Sequence, residues 1–145
     1  MMSEETLTVE TSFGTFAVRP DEVVTFPDGL PGFEKCRRFV LLSHATHAPL
    51  RCLHAIDDPP ASFLAVDPCT VAADYQCALP PEAQGRVDAR EDTRLVWLVL
   101  VALSDGDETP TANLRAPIVI NPASMLGCQF VIDDDRYPVR LELAA

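Results

Sequence analysis

A chain of 145 residues, 48% of them hydrophobic, can bury a core of its own and is too apolar to stay unfolded, so residues 1–145 are expected to form one domain. Twenty-two acids against eleven bases leave a formal charge of −11. That balance disfavours direct nucleic-acid binding, favours a basic protein partner, and would equally serve solubility alone.

No apolar run reaches the roughly 18 residues of a membrane span. The N-terminus M-M-S-E-E-T-L-T has no apolar centre like that of a secretory signal, which makes the cytoplasm the expected location. Thirteen prolines and six glycines punctuate the chain at the spacing of an all-β domain of short strands. L-T-V-E-T-S-F (7–13) and T-F-A-V-R (15–19) alternate with period two around a hairpin turn, S-F-G-T. T-F-P-D-G-L-P-G-F-E (25–34) follows, a turn segment that nonetheless carries Phe26, Leu30 and Phe33. Its prolines restrict the backbone and Gly29 and Gly32 can supply positive φ, so it can hold a fixed shape at small entropic cost. The three apolar side chains either plug an end of the fold or stay outside for a partner, and the physics favours plugging for at least two of them.

Further strands are expected at 38–42, 51–56 and 62–66. The apolar run L-V-W-L-V-L-V-A-L (95–103) has the character of a strand buried on both faces. Strands at 116–121, 128–132 and 139–143 close the chain. Helical signal is confined to two single turns, at 33–39, where Glu34 and Arg38 are spaced i, i+4, and at 80–86. The expected fold is therefore a small antiparallel β-barrel or sandwich with one or two short helical turns.

Catalytic signatures are missing. His44 and His47 belong to a loop, S-H-A-T-H-A-P. Cys52 and His54 alternate on one strand face, but two ligands do not make a zinc site, and a packed Cys beside a partly exposed His explains them better. The five cysteines, Cys36, Cys52, Cys69, Cys77 and Cys128, read as thiols with no C-x-x-C pair. Asp57-Asp58 and Asp133-Asp134-Asp135 precede turns and serve as turn caps. D-G-D-E (105–108) lacks the ligand spacing of a calcium loop. No cofactor, metal or enzymatic activity is expected. In T-A-N-L-R-A-P-I-V-I-N-P (111–122), Asn113 and Asn121 bracket a strand; they either terminate it or meet an incoming chain.

Several of these blocks together resemble the FliW family of flagellar assembly factors. They are F-G-T (13–15), V-V-T-F-P-D-G-L-P-G-F-E (23–34), R-F-V-L-L (38–42), D-D-P (57–59), V-D-P (66–68), D-Y (74–75), T-A-N-L-R-A-P-I-V-I-N-P (111–122), G-C-Q-F-V-I (127–132) and Y-P-V-R (137–140), in the family's order. The resemblance implies a non-catalytic β-barrel that binds flagellin as a chaperone. It further implies alternate binding of CsrA, a small basic translational repressor, which is thereby antagonised. It points to Phe26, Leu30, Phe33, Asp74, Tyr75, Asn113, Leu114 and Asn121 as partner-contact positions, on a protein expected to be a monomer. One departure stands out: where relatives commonly have a phenylalanine-rich run between V-D-P and D-Y, this chain has C-T-V-A-A. That change motivates an alternative, a flagellin chaperone without repressor binding. A metal-binding module built on Cys52, His54 and an acid is the more distant one.

Overall fold

A computed structural model describes residues 6–11, 14–57, 60–76, 78–90, 92–102, 109–134 and 136–143. In chain order the strands are β1 (Leu7–Thr11), β2 (Gly14–Val18), β3 (Val24–Thr25), β4 (Arg38–Ser43), β5 (Arg51–Ala55), β6 (Ala61–Val66), β7 (Val96–Ala102), β8 (Thr111–Ala112), β9 (Ile118–Asn121), β10 (Leu126–Gln129) and β11 (Leu141–Glu142). Two short helices, α1 (Pro68–Val71) and α2 (Pro81–Arg86), lie between β6 and β7.

The sheet closes on itself. Strands run in the order β7-β6-β5-β4-β3-β10-β9, and β9 pairs back onto β7, giving a barrel of seven strands. Every ladder in it is antiparallel except the short parallel pairing of Leu126 with Thr25. Closure leaves the ring without an open edge. Past Leu98, β7 parts from β9 and takes β8 as its neighbour instead, with β11 outside β8. The β1–β2 hairpin forms a separate sheet of its own.

Alternation sorts the side chains. Phe39, Leu53, Ala55, Ala65, Leu98, Ile118 and Ile120 point inward and form the barrel core with Val24, Phe26 and Leu30. Fully burying each Phe, Leu, Ile or Val among them contributes about 1.5–3 kcal/mol. The outward residues of the same strands are also covered. Val9 and Val18 of the hairpin lie over Val40, Leu42 and Cys52. Tyr75 and Tyr137 pack with Val66, Val99 and Val101. Ala83 and Val87 of the α2 segment lie against Val119, Cys128 and Phe130. This is why β7 reads as continuously apolar: Val96, Leu98 and Leu100 join the barrel core, Val99 and Val101 the Tyr75 cluster, and Trp97 the cluster under α2.

Several elements differ from the sequence expectation. No helical turn forms at 33–39; the Cys36 N–H bonds the Phe33 carbonyl in an isolated turn, and Leu30 bridges Phe33. Glu34 bonds the Gly32 N–H rather than Arg38, while Arg38 reaches Asp57 across the sheet. The strand expected at 128–132 begins earlier, at Leu126, because it pairs with Asn121 there and with Thr25 on the other side. At α1, Asp67 caps the Cys69 N–H and Pro68 occupies the first turn, a start signal passed over in the sequence. The turn at Ser12-Phe13, the D-G-D-E segment, Asp58, Cys77 and Asp135 lie outside the described residues.

Candidate functional site

The segment 26–37 closes one end of the barrel. Phe26 is fully buried and Leu30 nearly so, whereas Phe33 keeps 44% of its surface in solvent. The Phe26 ring lies 4.8 Å from Phe39 and directly over Gly127. A Cβ on Gly127 would come within 2.5 Å of that ring, so only glycine fits beneath it. Gly29 has φ of 65°, and a Cβ there would meet the backbone of Phe33 and Glu34 at 2.7 Å. Backbone bonds then lock the loop: the Phe26 N–H donates to the Arg37 carbonyl at 2.6 Å, and the Phe33 N–H to the Leu30 carbonyl at 2.7 Å. The Gly32 N–H and the residue's own N–H hold the Glu34 carboxyl below its ordinary pKa. Phe33 therefore stands on a fixed base, edge-to-face with Phe63 of β6 at 5.0 Å.

Asp57 anchors the far side of this loop. It accepts from the N–H groups of Arg37 and Arg38 at 2.6 and 2.8 Å and from the Arg38 guanidinium at 3.2 Å. Burial pushes its carboxyl up, but these donors outweigh that and hold it below the ordinary value. Asp28, at the loop's start, pairs with Arg86 of α2 at 3.2 Å.

The second motif block is built differently. Asn121 is buried, and its amide donates to the carbonyls of Val87 and Asp88 while its oxygen accepts from the Ala123 N–H. It pins the end of α2 to the barrel. Leu114 is buried, and its carbonyl accepts from the Tyr75 hydroxyl at 2.8 Å. Tyr75 is also buried and packs at a tilt against Tyr137, ring centroids 4.6 Å apart, whose own hydroxyl accepts from the Gln76 N–H. Asn113 is half-buried and caps the turn through the Arg115 N–H. Asp74 is exposed beside this Tyr clamp.

Of the eight positions singled out in the sequence, Phe33 and Asp74 thus lie at the surface and Asn113 is partly accessible, while Phe26, Leu30, Tyr75, Leu114 and Asn121 are buried. The blocks meet in the barrel core, where Ile118 and Ile120 pack with Phe26 and Leu30, but the singled-out residues are not gathered at one place: Tyr75 and Leu114 belong to the Tyr137 cluster. Sequence reasoning passed over Tyr137, although it lies in the Y-P-V-R block, and Phe63, whose role depends on a strand remote in sequence.

His54 is buried, not partly exposed, because the cluster under the β1–β2 hairpin surrounds its stretch of β5. Its Nδ1 lies 2.7 Å from the Ser62 hydroxyl, and burial lowers its pKa. Cys52 packs among Val9, Val18 and Val40. Among the described residues no three His, Cys, Asp or Glu side chains converge as metal ligands. Nor is any helix there long and apolar enough to cross a membrane.

Comparison with known proteins matches this architecture. The FliW protein family profile matches residues 7–143. Flagellar assembly factor FliW of Carboxydothermus hydrogenoformans is 34% identical over 129 residues, covering 89% of this chain and 83% of that relative. Its counterpart from Geobacter sulfurreducens is 33% identical over 130 residues, covering 90% and 81%. A crystal structure of the flagellar assembly factor FliW matches with a TM-score of 0.84 at 26% identity, covering 96% of this chain and 98% of that one. A closed small β-barrel with a plugged end is thus the class. The chain belongs to the FliW family of flagellar assembly factors.

Proposed function

We propose that this flagellar assembly factor acts by binding alone, without catalysis. It holds newly made flagellin as a chaperone and alternately binds and antagonises the translational repressor CsrA. Flagellin that accumulates occupies the factor, frees the repressor and lowers its own synthesis; secreted flagellin returns the factor to the repressor. Such a switch needs only two competing affinities. It operates in the cytoplasm, on a monomer, with no nucleic-acid contact and no cofactor.

The observation that carries this reading is the family match over nearly the whole chain with both long motif blocks present. The net charge of −11 supports a basic partner. The fixed apolar rim at Phe33 supports capture of amphipathic helices. Phe33, Asp74 and Asn113 are the contact residues in this reading; Phe26, Leu30, Tyr75, Leu114 and Asn121 hold them in place. A calorimetric titration with the same organism's CsrA, with and without flagellin, tests it. Binding that flagellin abolishes is the expected result; binding to neither protein would refute it.

A second reading, a chaperone that has lost the repressor, is motivated by the segment 69–73. There Val71 and Ala72 turn inward against the Tyr75 cluster, so C-T-V-A-A offers no aromatic surface. Flagellin binding without CsrA binding would favour it.

A further inference from the structure

The turn that joins β4 to β5 lies at the far end of those strands from the 26–37 loop, since β4 leaves the loop at Arg38 and ends at Ser43. An open cleft of about 300 Å³ sits there, lined by Ser43, His44 and Arg51 and by apolar residues of the turn between them. The chain has a net charge of −11, yet no carboxylate is among the lining residues and the one charged side chain is a guanidinium. Arg51 is half-buried. Its Nε donates to the Ser43 hydroxyl at 3.0 Å, and its two terminal nitrogens have no partner among the described residues. The Ser43 oxygen accepts in that bond, so its own O–H is left to donate. The Nδ1 of His44 accepts from the Thr46 N–H at 3.1 Å, so the neutral ring carries its proton on Nε2 as a further donor. Asp67 acts on Arg51 through space, but its carboxylate is taken by the Cys69 N–H, and burial weighs on the guanidinium more than Asp67 relieves it. The N–H groups of His47 and Leu50 bond back to His44 and His47, which holds the turn in shape.

We propose that this cleft is a binding site for a small organic carboxylate, with Arg51 as its anchor. The site is independent of the two-partner reading above, and none of Ser43, His44 and Arg51 belongs to a motif block of the family resemblance. With Nε committed to Ser43, the guanidinium binds end-on, its two terminal nitrogens presenting parallel N–H groups that match the two oxygens of a carboxylate. The Ser43 O–H and the His44 Nε2–H are the remaining side-chain donors of the cleft. Pro49 and Leu50 give an apolar wall for a short aliphatic chain or a single ring. Because the bond to Ser43 orients the guanidinium beforehand, little side-chain freedom is lost on binding. A neutral molecule of the same shape leaves the partly desolvated charge unpaired, and a bare inorganic anion forgoes the apolar contact.

The test titrates the isotope-labelled full chain with sodium benzoate, benzamide and inorganic phosphate at constant ionic strength, and reads the backbone amide shifts by NMR. Benzoate is expected to give saturable shifts concentrated at residues 43–51, with benzamide and phosphate each weaker by about tenfold or more. Arg51→Gln should weaken benzoate by about tenfold or more. Ala45→Glu, at an exposed position lining the same cleft, introduces a carboxylate that competes for Arg51 and should weaken benzoate at least as much, with the rest of the spectrum unchanged. Should Arg51→Gln fail to fold, Ala45→Glu decides by itself. Absence of saturable shifts at 43–51 would overturn the proposal. So would benzoate binding that survives Ala45→Glu, or benzamide or phosphate bound as tightly as benzoate.

Discussion

The segments 26–37 and 111–122 look alike in the sequence: both carry specific motifs, both mix turn residues with apolar ones, and both could be contacts. In the structure they part company. The second is built inward, with the Asn121 amide wholly taken up by Val87, Asp88 and Ala123 and the Leu114 carbonyl held by Tyr75. The first is divided, with Phe26 and Leu30 filling the core and Phe33 left on top. A motif can therefore record the needs of folding throughout its length, or pin down a few residues so that one can be offered to a partner. Buried polar groups with every bond satisfied mark the first kind, and a large apolar side chain on a locked backbone marks the second.

The comparison is broken most severely at the base of the loop. Phe26→Ala removes a fully buried ring beneath which only Gly127 fits, and should cost about 3–5 kcal/mol in a urea or thermal melt. Gly127→Ala forces a Cβ into that ring and should cost about 1–3 kcal/mol. A melting temperature unchanged by either would mean that the loop does not plug the barrel. In the other block, Asn121→Ala strands two carbonyls and an N–H and should cost about 1–3 kcal/mol, with faster amide exchange in α2. Removing only the hydroxyl with Tyr75→Phe should cost about 0.5–1.5 kcal/mol. Phe33→Ser loses the ring contact with Phe63 and should cost about 0.5–1.5 kcal/mol, well below the cost at its buried neighbour Phe26.

Acidity probes the hairpin side. Burial holds His54 below its ordinary pKa of 6.5, so the unfolded chain takes up this proton first. The stability tied to neutral His54 is complete above about pH 6.5 and is lost as the pH falls below it. Urea melts of the protein and of His54→Asn on either side of that value should show the acid-side loss only when the histidine is present.

Much of this was legible. The stretches expected as strands at 7–13, 15–19, 38–42, 51–56 and 62–66 carry β1, β2, β4, β5 and β6, and the apolar run 95–103 contains β7. The proline-led helical turn at 80–86 is α2. Strands of two residues, β3, β8 and β11, are too short to carry a period and exist because a neighbour offers a ladder. The Glu34–Arg38 pair was misleading because each side chain found a better partner, a backbone N–H two residues back and a carboxylate across the sheet. The burial of His54 depends on the hairpin folding over β5, which no local pattern in β5 announces. Phe33 and Leu30 differ by three positions and share a motif, and only the tertiary turn between them sends one inside and the other out.

Hydrogen exchange of the protein alone and with flagellin tests this division most directly. The account predicts new protection along residues 31–37 and none at 118–121, whose amides already belong to the barrel. Protection at 118–121 with the loop unchanged would contradict it.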